Sequence, residues 1–156
     1  PHLERITQLI NKTNQFNLRT KRCSMDEIKS MMGSDKYKIY SLYVEDKFGD
    51  LGLTGVAIIK IEKEAYFIDN FLLSCRILSR KIENQFFYEI IKLLNKNSLK
   101  IKAVYIKTVK NKIAEEFYDN LGFTALRKEE NSKMYEMFIN KFSFSDIDFI
   151  EVKNDA

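Results

Sequence analysis

Metal-binding side chains are nearly missing from this sequence. Its one histidine is His2, and its two cysteines, Cys23 and Cys75, lie in unrelated contexts with no Cys-x-x-Cys spacing. No protein-built zinc or other metal site is expected from such a set. Cysteines this few and this scattered make a reducing cytoplasm the expected compartment. No apolar run is long enough to span a bilayer and no signal peptide is visible, so no membrane association is expected. Tryptophan is absent, and no glycine falls between Gly55 and Gly122. No internal repeat or low-complexity linker interrupts the chain. Charge is not concentrated either: 26 Lys and Arg against 22 Asp and Glu leave a net +4 spread along the sequence. That is a mild bias toward anionic partners, without the aromatic-interleaved basic patch of a nucleic-acid binder.

What is present is the composition of one soluble domain. The 156 residues are 45% hydrophobic and 31% charged, with 12 Phe and 8 Tyr. A chain of this length buries roughly 70% of its unfolded surface and needs no disulfide or metal staple. Residue 1 is Pro rather than Met, so the chain is expected to be cut from a longer one.

The stretch from Ile68 to Glu83 organises the rest. Phe71, Leu72 and Leu73 form a continuous apolar run, as in a strand covered on both faces. Arg76, Arg80 and Lys81 follow, and a helical pattern starts at Ile82 and runs through Phe86, Phe87, Ile90, Ile91, Leu93 and Leu94. A strand that feeds cations into a helix start suits an anion. An ordinary connection with its basic residues in solvent is the alternative.

Elsewhere the pattern alternates between the two periods. Leu3, Ile6, Leu9 and Ile10 have helical spacing, and a short strand is expected around Phe16 and Leu18. Ser24 with Glu27 three residues on forms a capping box for a helix ending at Gly33. Strands are expected over 37–47, 53–61 and 65–74 as an antiparallel meander, with 48–52 as a turn that Asp46, Lys47 and Asp50 serve. After the basic loop and its helix comes a polar break at 95–98 and a strand over 101–108. Asn111 is expected to cap a second helix with the stripe Ile113, Ala114, Phe117, Tyr118 and Leu121, closed by a left-handed Gly122. Strands over 123–127 and 134–140 complete a mixed, mostly antiparallel sheet with helices on both faces, an α+β fold. Residues 1–142 form the domain, and the acidic tail 143–156 is expected to be partly disordered or surface-packed.

Two motifs are similar to the GNAT acyltransferase fold. Cys75-Arg76-Ile77-Leu78-Ser79-Arg80-Lys81 stands at the place of the GNAT pyrophosphate loop. Asn111 and the run Glu115-Glu116-Phe117-Tyr118-Asp119-Asn120-Leu121-Gly122-Phe123 look like the GNAT ending, in which an Asn precedes a helix closing in Tyr-x-x-x-Gly-Phe. Over nearly its whole length the chain also resembles the C-terminal GNAT-like region of FkbH-type proteins, through Lys12-Thr13-Asn14-Gln15-Phe16-Asn17-Leu18, Asp46-Lys47-Phe48-Gly49-Asp50, and Ile68-Asp69 with Phe71-Leu72-Leu73-Ser74-Cys75-Arg76. The resemblance implies an upstream HAD-type domain that takes a glyceryl unit from 1,3-bisphosphoglycerate. It also implies an acyl carrier protein as partner, in the making of methoxymalonyl-type extender units.

The resemblance also assigns roles. Coenzyme A or phosphopantetheine is implied at Arg76, Ser79, Arg80, Lys81 and Asn111. Ser79 and Lys81 stand where GNAT proteins usually have glycines, so coenzyme A binding is expected to be poor. Cys75 is the sharpest catalytic candidate, because cations and a helix start beside a thiol favour its nucleophilic form; a buried small hydrophobe is its other reading. Tyr118 falls where GNAT enzymes keep a tyrosine acid, and Asp69 where a carboxylate base often sits. Asn14, Gln15 and Asn17 are expected to line an acyl or pantetheine pocket, or else to satisfy backbone groups. His2 carries no role and is expected to be mobile. A docking module without catalysis, and a free-standing acetyl-CoA N-acetyltransferase, are the alternative functions.

Overall fold

Apolar spacing decides the first elements. Ile6 and Ile10, one turn apart, are the buried residues of helix α1 (His2–Lys12). His2 opens that helix, and its Nδ1 lies 2.6 Å from the Tyr43 hydroxyl. A two-residue strand, β1 (Phe16–Asn17), precedes helix α2 (Met25–Met32). Ser24 Oγ accepts the Glu27 N–H, and the Glu27 carboxylate accepts the Ser24 N–H, which is the expected capping box. This computed structural model describes residues 2–78, 81–94, 99–143 and 150–153. The break at 95–98 and most of the expected tail lie outside the described residues.

The meander follows as β2 (Tyr37–Asp46), β3 (Gly49–Ile61) and β4 (Ala65–Leu73), with antiparallel pairing throughout. The hairpin between β2 and β3 is tighter than the sequence suggests. Residues 49–52 belong to the strand, and Gly52, at φ 71, lets β3 bend while it stays paired. Asp46 and Asp50 serve this corner, accepting the N–H groups of Phe48 and Gly52. Helix α3 (Ile82–Leu94), β5 (Lys100–Ile106), helix α4 (Phe117–Leu121), β6 (Thr124–Lys128) and β7 (Ser132–Phe138) complete the domain. Gly122, at φ 94, closes α4 in the left-handed conformation.

Among the described residues the sheet has seven strands in the order β2-β3-β4-β5-β7-β6, with β1 added to β4. The β4–β5 pair is parallel and all the others are antiparallel. Helices cover both faces. Ile6, Ile10, Ile28 and Met31 from α1 and α2 pack on Val56, Ile58 and Leu72. On the other face α3 and α4 bury a group of rings: Phe71 stacks on Phe117 at 5.2 Å, and Phe16 meets Phe117 edge-on at 5.2 Å. Such pairs each contribute about 0.5–1.5 kcal/mol beyond burial.

The junction between β4 and β5 is unusual. They pair directly only at Ala65–Phe67 with Lys100–Lys102. Beyond that, residues 16–18 lie between them. Phe16 and Asn17 pair with Leu73 and Leu72. The Leu18 N–H donates to Phe71 O (3.1 Å), and Leu18 O accepts the Ile106 N–H (2.8 Å).

Asn111 holds this wedge, and it is not the helix cap the sequence suggests. Its side chain makes no cap bond, and the expected helix breaks into a 3-10 turn (Lys112–Ala114) and the short α4, with Ile113 exposed. Fully buried, it donates Nδ2 to Asn17 O and Ile106 O and accepts from the Thr108 N–H and the Tyr105 hydroxyl at Oδ1. Truncating it strands several buried polar groups, each worth about 1–3 kcal/mol. Asn111→Ala should therefore lower unfolding stability by about 3 kcal/mol or more in urea titrations, far beyond an ordinary cap loss of about 1 kcal/mol.

Candidate active site

A carboxylate on a buried strand has to be paired. Asp69 is 3% exposed and is the extra residue of a bulge in β4, because Ile58 pairs with Asn70 and Ile59 with Ile68. Bulges re-aim side chains and recur beside active sites. Two cations from the turn after β1 meet this carboxylate: Arg19 Nη1 lies 2.6 Å from Oδ1, and Lys21 Nζ lies 3.0 Å from Oδ2. Arg19 also donates to the Asp69 carbonyl and lies over the Phe67 ring, 5.1 Å from its centroid. Thr20 between them has φ 53, a costly conformation for a β-branched residue, of order 1–3 kcal/mol. Asn17 Oδ1 fixes the turn by accepting the N–H groups of Arg19 and Thr20. Arg19 and Lys21 were not singled out by their sequence context. The signal for them was Asp69 itself, a charge amid Ile68 and Phe71 that required partners. Both its oxygens are engaged by these two cations.

Cys75 lies where β4 ends. It opens a 3-10 turn (Cys75–Ile77) capped by Ser74, whose Oγ accepts the Arg76 N–H, and it is exposed. Arg76 is exposed and donates to the Leu51 carbonyl, back toward β3. Lys81, also exposed, takes φ 60 just before α3, so the loop adopts at this residue the conformation a glycine would supply. Ser79 and Arg80 lie outside the described residues. In the first turn of α3 stands Glu83, whose Oε2 is buried and unpartnered. Burial raises its carboxyl above the usual carboxylate range, and its own backbone N–H pulls the other way.

The remaining candidates are built into the scaffold. Tyr118, 1% exposed, packs its ring on Phe117, Phe123 and Tyr135 at 5.6, 5.1 and 5.5 Å. Burial pushes its phenol up, so it holds its proton more tightly and has no solvent contact through which to deliver it. Asn111 is used up inside the sheet. Asn17 is fully buried and donates Nδ2 to Thr13 O, which is the backbone-satisfying role and not a pocket lining. Asn14 accepts from Arg22, and Gln15 is exposed. No hydrogen bond or ion pair joins any two of Asp69, Cys75 and Tyr118. Cys75 is six residues past Asp69, roughly 15 to 20 Å along the chain, while Tyr118 belongs to the ring-packed core.

Comparison with solved structures places this architecture. The ribosomal-protein-S18-alanine N-acetyltransferase from Escherichia coli superposes with a TM-score of 0.66 at 12% identity over 90% of each chain. The fold is that of the GNAT acetyltransferases. The spermidine/spermine N-acetyltransferase SpeG from Vibrio cholerae gives 0.62 at 14% identity over 89% of each chain. The PaiA N-acetyltransferase from Thermoplasma acidophilum, in complex with coenzyme A, gives 0.57 at 17% identity over 72% of this chain and 67% of that one. No family model and no curated protein sequence matches the chain.

Coenzyme A is bound in one of these solved structures, and among the described residues two features of this chain oppose it. A half-buried carboxylate at Glu83 opposes a pyrophosphate at the start of α3, and Asn111 has no free polar group. An opened strand pair is a natural seat for an amide-bearing chain, yet here residues 16–18 already occupy it.

Glu83 yields a pH test. Its folded-state pKa lies above the unfolded one, so the protonated form favours folding below the unfolded value, and that stability is lost as pH rises through the folded value. Glu83→Gln should therefore raise the melting temperature at pH 7.5, and the difference from the native protein should shrink toward zero near pH 4.

Proposed function

We propose that this chain is the acyltransferase-like domain of an FkbH-type protein. In this reading it helps pass a glyceryl or other acyl group, as a thioester, to an acyl carrier protein in methoxymalonyl-type biosynthesis. The GNAT architecture supports the reading, and so does the resemblance of residues 12–18, 46–50 and 68–76 to such proteins. The observation that carries it is the exposed thiol of Cys75 at the end of β4. A carrier protein's phosphopantetheine arm can reach a surface thiol without entering the closed junction between β4 and β5.

The transfer runs in two steps. The Cys75 sulfur attacks the carbonyl carbon of an activated acyl group brought by the upstream HAD-type domain. A carbon–sulfur bond forms, the leaving group departs with its electron pair, and the thiol proton passes to solvent. The thiol of the carrier arm, giving its proton to solvent, then attacks the Cys75 thioester; the bond from the acyl carbon to the arm's sulfur forms as the bond to the Cys75 sulfur breaks, and Cys75 leaves as a thiolate that takes up a proton.

A docking module without catalysis is the second reading. The burial of Tyr118 and the saturation of Asn17 and Asn111 favour it, because they leave Cys75 without a positioned acid or base among those candidates. A free-standing acetyl-CoA N-acetyltransferase fits least, given Glu83 and the filled strand junction. In the full-length protein supplied with 1,3-bisphosphoglycerate and carrier protein, mass spectrometry of the carrier arm should show glyceryl loading. Cys75→Ala should reduce that loading to background. Undiminished loading in the variant would overturn the thioester role and leave docking. Calorimetric titration with acetyl-CoA should show no tight binding; a tight isotherm would favour the acetyltransferase reading.

A further inference from the structure

Helices α1 and α2 cover the sheet over β2 and β3, and on the same face a groove of about 520 Å³ lies over the strands beyond. One row of side chains crosses it. Lys60 on β3 is paired with Phe67 on β4, Phe67 with Lys102 on β5, and Lys102 with Glu136 on β7. Arg19 and Lys21 complete one end, where they clamp Asp69. Phe67, Ala103, Val104, Leu126 and Met134 belong to the apolar part of the lining.

The lining carries four cations, Arg19, Lys21, Lys60 and Lys102, and three carboxylates, Glu62, Asp69 and Glu136, which leaves an excess of one positive charge. Asp69 is a single carboxylate serving two cations. Glu62 reaches Lys102 only at 4.0 Å, and Glu136 is drawn to Lys100 at 3.6 Å, on the neighbouring strand. Among the described residues Lys60 has no carboxylate within ion-pair distance. One excess positive charge above an apolar, low-dielectric wall produces a local potential stronger than the same charge gives in open solvent. Arg19 presents a planar fork, held in place by Asp69 and by the Phe67 ring, so little entropy is lost when it meets a planar or tetrahedral oxyanion.

We infer that this groove binds a small organic anion, one carrying a carboxylate or phosphate on a short carbon body, with Lys60 and Lys102 flanking Phe67 as its principal contacts. An amine is the wrong occupant. A polyamine such as spermidine, for which one structural relative is named, would place its charges against Lys60, Lys102 and Lys21. The inference concerns a place well before Cys75 on β4, and it stands whether or not that thiol carries an acyl group.

Titration followed by amide NMR shifts and by calorimetry tests it. The probes are malonate, glycerol phosphate, inorganic phosphate and spermidine, each at 150 mM salt. Malonate or a phosphate probe should bind saturably and shift the amides of Lys60, Phe67 and Lys102, and the stronger of the two tells which oxyanion the site takes. Lys60→Glu and Lys102→Glu should each weaken that binding by about tenfold or more. Lys60→Gln, which removes the charge without reversing it, should weaken it less and guards against a folding defect. Absence of saturable binding by every anion would overturn the inference. So would affinity unchanged in both charge reversals, or spermidine binding more tightly than the anions.

Discussion

The backbone N–H and C=O of Leu18 tie the two halves of the sheet together. On one side Phe71 O of β4 takes the Leu18 N–H; on the other, the Ile106 N–H of β5 donates to Leu18 O. Direct pairing between those halves is confined to three residues on each strand, so the buried backbone groups beyond would otherwise lack partners. Asn111 fixes the wedge from one side, and the rings of Phe16, Phe71 and Phe117 fix it from beneath. Everything downstream inherits this placement. Arg19 and Lys21 reach Asp69 only because residues 16–18 are locked a few ångströms away.

The wedge also explains why the features of the site are spread out. The thiol is at the end of β4, the cations are on the α1–α2 face, and the tyrosine once expected to act as an acid is in the aromatic layer on the opposite face. A chain that fills its own strand junction cannot bring these three to one point. The thiol proposed to carry an acyl group and the groove proposed to take an anion are therefore separate places on one scaffold.

Local signals in the sequence were enough for most elements. The Ser24–Glu27 pair announced α2, and Gly122 announced the end of α4, because caps are decided within a few residues. The extent of β3 was obscured by Gly49 and Gly52, which read as a turn but here continue a strand that bulges. Asn111 misled for a different reason. Its partner Asn17 is 94 positions away, and no short-range rule distinguishes an asparagine that caps a helix from one that staples two strands. The same holds for Asp69: its need for countercharge was visible, but Arg19 and Lys21, some 50 positions earlier, could not be identified as its source. The exposure of Cys75 was open in the sequence, where a buried alternative was equally consistent with its apolar upstream neighbours.

The two cysteines have opposite surroundings: Cys23 is closed into the packing under α1 and α2, whereas Cys75 faces solvent. A maleimide dye or spin label added to the folded protein would thus attach at one address without any engineered handle. For the same reason, storage without reductant invites a disulfide between two copies of the chain through their Cys75 side chains, a covalent dimer that says nothing about how the protein associates on its own.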